Sequence, residues 1–111
     1  MKKINILKSN EDFGRIIHSN TAIKYKSFII YIEENTNDVH KFGISVSKKI
    51  GNAVCRNKIK RQIKDIIDKK DYKNNFNCII IVRKSYLDFS YEENKNNLNY
   101  ILEKYQLNKG E

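Results

Sequence analysis

The feature that most constrains the fold is a set of isoleucines in the segment AVCRNKIKRQIKDIID. Ile59, Ile63, Ile66 and Ile67 recur with the spacing that places side chains on one face of an α-helix. We therefore predict a helix from about Asn52 to Lys69 whose isoleucine face packs on the rest of the chain. Such a face requires a second layer of structure, because it must be buried against another element.

The opposite face of the same predicted helix is strongly basic. If each residue advances about 100° around the helix axis and Arg56 is the origin, Lys60 lies at about 40°, Lys64 at about 80° and Arg61 at about 140°. Asn57 lies among them at about 100° and adds a neutral hydrogen-bonding group. The helix is thus predicted to present a basic ridge to the solvent while its isoleucines face inwards.

The positive charge of the chain is concentrated around this helix. Residues 41–70 contain ten basic and two acidic side chains, and so carry +8 of the net charge of +9. The first acid after Gly51 is Asp65, so most of the ridge has no acidic neighbour for an i,i+4 pair. Lys48 and Lys49 precede the helix, whose first N–H groups accommodate phosphate oxygens. An extended polyanion is the expected partner, and nucleic acid is the leading candidate.

The remaining segments predict a small sheet with two more helices. Ser9 or Asn10 caps a short first helix, and SFIIYIEE and KFGISVS predict an antiparallel hairpin around the turn NTND. NCIIIVR has the uniform apolar character of a strand that is buried on both faces. A final amphipathic helix carries four apolar positions: Leu98, Ile101, Leu102 and Tyr105.

These elements follow one another in the order α-β-β-α-β-α. This order predicts an α+β fold, an α/β sandwich in which helices pack on a single small mixed sheet. Because no linker interrupts the sequence, residues 1–111 are expected to form one domain.

Several classes of function are disfavoured by the composition. No apolar run approaches the length of a membrane span and no signal-peptide core is present, so we expect a cytoplasmic protein. Cys55 and Cys78 lack the spacing of a metal site and are expected to be buried thiols. His18 and His40 are expected to be surface side chains outside any acid/base arrangement. We therefore assign no catalytic and no metal-binding residue.

One face of the predicted hairpin offers a second candidate surface. Ile29 and Tyr31 share a face of the first strand, and Ser45 and Ser47 lie opposite the apolar set of the next strand. A polar-lined face with one tyrosine is compatible with a track for single-stranded RNA, because an aromatic ring stacks on any base. Phe13, on its amphipathic helix, would by itself be expected in the core.

The run FGISVSKKIGNAVCRNKIKRQIK resembles the signature of the bacterial ribonuclease P protein component. The shared features are an Arg-Asn-x-x-Lys-Arg helix and the Lys-Lys-x-Gly-Asn-Ala-Val turn that precedes it. LKSNEDF, FIIY and IIIVRKS extend the likeness over nearly the whole chain. The resemblance implies a subunit of the ribonucleoprotein enzyme that removes the 5′ leader from precursor tRNA. In that family the RNA subunit performs the hydrolysis with Mg²⁺, which is held mainly by the RNA and not by the protein alone.

The resemblance also implies sites on this chain. The catalytic RNA would contact the motif residues and their neighbours: Lys48, Lys49, Asn52, Arg56, Asn57, Lys60, Arg61 and Lys64. The leader would lie in a cleft between the first helix and the open sheet face, lined by Phe13, Ile17, Ile29, Tyr31, Ser45 and Ser47. Phe13 and Tyr31 match aromatic positions of the family, whereas Ile17 replaces a residue that is often aromatic. The family is also known for a left-handed strand-helix-strand crossover, the rarer hand. Neither a protein oligomer nor a membrane is implied.

Two other functions compete with this interpretation. A structural RNA-binding module, such as a ribosomal or RNA-folding protein, would have the same electrostatics. A self-sufficient protein nuclease would need a catalytic constellation, which the sequence lacks. The specific order of turn and helix favours the ribonuclease P subunit over the structural module.

Overall fold

The computed structural model describes residues 1–105 and 107, and it confirms the predicted α+β class with one strand more than expected. The helices are α1 (Asn10–Ser19), α2 (Ala53–Asp68) and α3 (Tyr91–Lys104). The strands are β1 (Ile23–Tyr25), β2 (Phe28–Glu34), β3 (Lys41–Val46) and β4 (Phe76–Val82). Short 3-10 helices cover Lys3–Asn5 and Lys84–Asp88. Within the described residues, no helix is both long and apolar enough to cross a bilayer.

The four strands form one mixed sheet in the order β1-β2-β4-β3. The predicted hairpin between β2 and β3 is therefore wrong: β4 lies between them, antiparallel to β2 and parallel to β3. Its uniformly apolar sequence explains the position, because a strand buried on both faces belongs at the centre of the sheet. The hairpin that does form joins β1 to β2 through Lys26 and Ser27, with Lys26 at a left-handed φ of 52°.

Helices cover both faces of this sheet. On one face, α2 and α3 bury their apolar side chains against β2, β3 and β4, which forms the main core. On the other face, α1 packs through Ile16 against Ile79 of β4, together with Leu7. In the strand-helix-strand unit β3-α2-β4, the two strands pair in parallel. The left-handed crossover stays a prediction.

Buried polar contacts tie the β1-β2 turn to the helices. The Ser27 hydroxyl donates to Asn94 Oδ1 at 2.7 Å, and Asn94 Nδ2 donates to the Tyr86 carbonyl at 3.0 Å. The Tyr86 hydroxyl in turn donates to Gln62 of α2 at 2.8 Å, and burial raises the pKa of Tyr86 to about 12. Because Ser27 and Asn94 are fully buried, satisfied hydrogen bonds are what makes their burial tolerable.

Three expectations about single residues need correction. Cys78 is buried as expected, and burial raises the pKa of its thiol, but Cys55 is only half-buried at the edge of the core. His40 is not a lone surface side chain: its ring packs against Phe42, Tyr72 and Phe76. Tyr105 follows the end of α3 and is 41% exposed, whereas the other three apolar residues predicted for this helix are buried.

Candidate nucleic-acid interface

A tight turn between β3 and α2 presents the first two lysines of the predicted interface. The N–H of Ile50 donates to the Ser47 carbonyl at 3.0 Å, and the N–H of Lys49 donates to the Ser47 hydroxyl at 3.2 Å. Ile50 is buried in the main core, so the turn is anchored while Lys48 and Lys49 remain exposed. Ser47 thus lies just beyond β3 and shapes this turn, whereas it had been predicted to line the leader cleft.

Asn52 begins α2 as its N-cap. Its side-chain oxygen accepts a hydrogen bond from the N–H of Cys55 at 2.9 Å, which satisfies one of the free donors of the first turn. In the described part of the chain, the N–H groups of Ala53 and Val54 have no hydrogen-bond acceptor. The helix start therefore keeps donors for an anion, and the Asn52 amide nitrogen stands beside them.

The basic ridge emerges from α2 as the sequence predicted. Ile59, Ile63, Ile66 and Ile67 are buried, whereas Asn57, Arg61 and Lys64 are exposed and Arg56 and Lys60 are half-buried. Among residues 1–105 and 107, none of the four ridge cations, Arg56, Lys60, Arg61 and Lys64, forms a salt bridge.

Arg56 contacts the backbone just before α2. Its Nε donates to the Gly51 carbonyl at 3.2 Å, which holds the guanidinium near the start of the helix. The ridge ends at Lys64, since the next residue is the acid Asp65. Asp65 pairs with Lys69 at 3.2 Å and raises the pKa of that lysine. The net field of the exposed face therefore remains positive over the first three turns of α2.

The predicted leader residues come together on the other face of the sheet. The strand register sets Ile29, Ile81 and Ser45 side by side in one row, with Tyr31, Ile79 and Gly43 in the adjacent row. From α1, Phe13 and Ile17 pack over these rows. All six of Phe13, Ile17, Ile29, Tyr31, Ser45 and Ile81 are half-buried, so each combines packing with an exposed edge.

Gly43 makes room for the ring of Phe13. A Cβ added to Gly43 would lie 2.4 Å from the tip of that ring, so only glycine permits this approach. Beside this contact runs an open groove of about 380 Å³ between α1 and β3, whose lining includes Phe13, Ser45 and Lys60. Lys60 belongs to the basic ridge, so the ridge and the groove meet across the edge strand β3.

An ion-pair network fastens α1 over the sheet. Arg15 of α1 donates to Glu33 of β2 at 3.0 Å and to Asp12 at 2.6 Å, and Asn77 of β4 donates to Glu33 at 3.0 Å. The hydrogen bond from Arg15 is the main reason that the pKa of Glu33 lies below its ordinary value. The network links α1 to β2 and β4 on the side of the helix away from the groove.

Sequence reasoning missed several residues at this interface. Ile81 lies between Ile29 and Ser45 in one row of the sheet face that α1 covers, yet its strand reads as uniformly buried. Arg83 and Lys84 follow β4 directly, and the parallel pairing of Val46 with Val82 puts them at the same end of the sheet as Ser47 and Lys48. The pattern that could have revealed them is the basic pair after an apolar strand, once the parallel register is known.

The side chains of the described residues offer no donor set for a resident metal. Across residues 1–105 and 107, no three His, Cys, Asp or Glu side chains lie close enough together to hold an ion. Asp65, near the ridge, accepts hydrogen bonds from Lys69 at 3.2 Å and from the Tyr91 hydroxyl at 3.3 Å.

Comparison with known proteins identifies the family. The model of the Ribonuclease P family matches residues 1–106. The ribonuclease P protein component of Bacillus velezensis is 40% identical over 111 residues, which cover 98% of this chain and 96% of the relative. The Mycoplasma capricolum protein of the same name is 44% identical over 99 residues, covering 82% and 86%. The chain belongs to the ribonuclease P protein family.

Solved structures of ribonuclease P proteins share the fold. The Staphylococcus aureus RNase P protein superimposes with a TM-score of 0.82 at 34% identity, covering 95% of this chain and 98% of the other. A mutant of the S. aureus protein, described as defective in mRNA degradation activity, gives a TM-score of 0.83. The Thermotoga maritima protein gives 0.78 at 23% identity, covering 88% and 94%. The chain is therefore a protein subunit of an endoribonuclease.

The contact between Gly43 and Phe13 generates a testable prediction. Gly43→Ala should displace the Phe13 ring and loosen α1, at a cost of about 1–3 kcal/mol of unfolding free energy, as is typical of overpacking. Urea denaturation measures the cost, and amide chemical shifts of α1 report the displacement.

Gly14→Ala is the matched control, since apart from the adjacent residues and the backbone of its own helix no described heavy atom lies within 4 Å of the added methyl group. Gly14 lies inside α1, so alanine there should stabilise the protein by up to about 1 kcal/mol. Equal effects of the two substitutions on stability and on the α1 shifts would contradict the proposed packing.

Proposed function

We propose that this chain binds the catalytic RNA of ribonuclease P through the basic ridge and its preceding turn. The observation that carries the proposal is the ridge itself: Arg56, Lys60, Arg61 and Lys64 project from one helix face without an acidic partner in the described residues. Like charges so close together repel one another, and phosphate groups would relieve that repulsion. The guanidinium groups of Arg56 and Arg61 and the Asn57 amide supply directional hydrogen bonds, which a purely electrostatic surface would lack.

The turn and the helix start extend this contact. Lys48 and Lys49 are held in position by a buried anchor, and the N–H groups of Ala53 and Val54 remain available beside them. Asn52, although occupied as the cap, keeps its amide nitrogen as a donor. We assign the eight predicted residues to one continuous RNA-binding surface: Lys48, Lys49, Asn52, Arg56, Asn57, Lys60, Arg61 and Lys64.

We further propose that the groove beside α1, together with the adjoining sheet face under α1, binds the 5′ leader of precursor tRNA. Half-exposed Phe13 and Tyr31 offer ring edges and faces to bases, Ile17, Ile29 and Ile81 offer apolar contacts, and Ser45 offers a hydroxyl. Such contacts tolerate any base sequence, which suits a leader of variable sequence. Ser47 would act indirectly, through the turn that presents Lys48 and Lys49.

The chemistry of cleavage would belong to the RNA subunit. Under this proposal the Mg²⁺ of the holoenzyme is held by RNA phosphates, because the carboxylates nearest the ridge are engaged: Asp65 with Lys69, and Asp68 with the Met1 amine at 2.7 Å. The protein's residues bind and position the two RNAs, and the leader is removed to give the mature tRNA 5′ end.

Loss of ridge charge should abolish tight binding of the catalytic RNA. Replacing Arg56, Lys60 and Arg61 together by Gln should weaken binding by more than about tenfold, since a hydrogen bond to a charged group contributes about 1.5–3 kcal/mol. The slope of log affinity against log salt should also flatten, by at most about one unit for each lost phosphate contact. Filter binding over a salt series measures both quantities.

The matched control removes three charges elsewhere. Lys2, Lys3 and Lys73 are exposed and lie outside the ridge, so their triple replacement by Gln should leave most of the affinity intact. Circular dichroism verifies that both variants are folded. If the two triple variants bind equally well at matched salt, overall charge and not the ridge controls binding, and the assignment fails.

The leader site is tested by Tyr31. Tyr31→Ala should weaken binding of precursor tRNA to the holoenzyme by about 1–3 kcal/mol, the range for one base-aromatic contact. Binding of mature tRNA, which has no leader, should not change. Tyr31→Phe keeps the ring and should retain most of the affinity, which separates stacking from a role of the hydroxyl.

Stability and leader length complete this test. Thermal unfolding of Tyr31→Ala is needed because Tyr31 packs on the Ile79 cluster, so the truncation also removes apolar contacts. The defect should shrink as leaders are shortened past the groove. If folded Tyr31→Ala has the same ratio of affinities for precursor and mature tRNA as the parent protein, Tyr31 does not belong to the leader site.

A further inference from the structure

A second cluster of aromatic and basic side chains lies outside the ridge and the groove. It comprises Tyr25, Tyr100 and Tyr105 with Lys26 and Lys104, which we call the tyrosine patch. The Tyr25 and Tyr100 rings stack at 4.9 Å between centroids, with 28° between their planes. Lys26 Nζ lies 5.7 Å from the centre of the Tyr25 ring, and Lys104 Nζ lies 5.7 Å from Tyr100 and 5.9 Å from Tyr105.

The patch is open to solvent and carries two positive charges. Tyr100 is 47% exposed and Tyr105 is 41% exposed. In the part of the chain that the structure describes, neither Lys26 nor Lys104 forms a salt bridge. Glu103, next to Lys104, instead accepts a hydrogen bond at 2.7 Å from Lys70, which lies just beyond the end of α2. An aromatic surface with two unpaired amines is thus available to an anionic, ring-containing partner.

The strand register places the patch at the same end of the sheet as the turn before α2. Tyr25 pairs with Phe28, Phe28 with Val82, and Val82 with Val46, so these four residues form the last row of the sheet. Within three residues beyond this row, basic side chains follow three of the four strands. Lys26 follows β1, Arg83 and Lys84 follow β4, and Lys48 and Lys49 follow β3.

These five cations lie along one end of the sheet, and we call them the basic path. Arg83 Nη1 donates to the Lys26 carbonyl at 3.2 Å, so the guanidinium lies against the β1-β2 turn that carries the patch. Neighbouring strands are about 4.8 Å apart, so the path from β3 to the β1-β2 turn spans about 15 Å. None of the five path cations, Lys26, Lys48, Lys49, Arg83 and Lys84, takes part in a salt bridge among residues 1–105 and 107.

The patch shares a face of the sheet with the basic ridge and not with the leader groove. Tyr25 packs against the main core, which also buries the inner faces of α2 and α3. The groove lies on the opposite face, under α1. An RNA bound along the ridge could therefore follow the basic path to the patch, whereas a leader in the groove would have to cross the edge strand β1.

We propose that the tyrosine patch binds unpaired nucleotides of the catalytic RNA, at the end of the basic path that starts at the ridge. The exposed tyrosine rings would stack on bases, and Lys26 and Lys104 would contact the adjoining phosphates. Stacking requires bases that are free of a duplex, which is why the occupant is an unpaired segment. This inference rests on the proposed function, since it extends the surface assigned there to the same RNA.

Two variants test the patch with different risks to the fold. Lys26→Gln with Lys104→Gln removes both amines and keeps the tyrosine stack. Tyr100→Leu removes an exposed ring from α3 and keeps an apolar side chain against Tyr25. Lys3→Gln with Lys73→Gln is the control, because it removes two exposed charges from elsewhere on the chain. The probe is the transcribed catalytic RNA, with precursor tRNA and mature tRNA as further arms.

The expected result is weaker binding of the catalytic RNA by both patch variants. Tyr100→Leu should lower the affinity at least about fivefold, the lower bound for one stacked base. The double lysine variant should flatten the salt dependence by about 1.4 units at most, as for two contacts to single-stranded RNA. The control variant should match the parent in salt slope, and nuclease protection of the RNA should lose an unpaired segment only in the patch variants.

Comparing the patch variants with the ridge variant separates a failure of this inference from a failure of the proposed function. Parental affinity in both patch variants, with the ridge variant defective, would overturn this inference alone. Parental affinity in the ridge variant as well would overturn the proposed function together with it. A loss confined to leader-bearing tRNA would overturn the assignment to the catalytic RNA. A changed oligomeric state of Tyr100→Leu in light scattering, with unchanged RNA affinity, would make the patch a protein contact and also overturn the inference.

Discussion

The packing of the α2 isoleucine face against the sheet is the interaction on which the rest of the structure depends. Burying Ile59, Ile63, Ile66 and Ile67 contributes about 1.5–3 kcal/mol for each side chain. Repulsion between like charges four residues apart on the outer face costs only about 0.2–0.5 kcal/mol per pair. Packing therefore outweighs repulsion, and the helix can keep a basic ridge that only an external anion would neutralise.

Features that depend on local sequence were predictable. The bounds of α2 and its two faces follow from side-chain spacing over a few turns, and the structure has these bounds within a residue of the prediction. The same reasoning placed Ile29 and Tyr31 together on one face of β2, because alternation along a strand is also a local property. The resemblance of the basic motif to the ribonuclease P protein signature was also visible, because it too depends on a short local sequence.

Features that depend on which strands meet were not predictable. The three-residue strand β1 is too short to give a pattern, and the turn chemistry between β2 and β3 suggested a hairpin that β4 prevents by lying between them. Consequently Ile81 could not be placed in one row with Ile29 and Ser45, nor Arg83 at the same end of the sheet as Ser47. The approach of Phe13 to Gly43 brings together two distant segments, and only the folded chain reveals why a glycine stands there.

The central claim is that this protein assists an RNA catalyst by binding two RNAs with separate surfaces. The most direct test is cleavage of precursor tRNA by the chain alone, by the catalytic RNA alone at modest Mg²⁺, and by both together. We expect removal of the 5′ leader at modest Mg²⁺ only in the mixture. Cleavage by the chain alone would contradict the account, and so would an activity of the RNA that the protein does not increase.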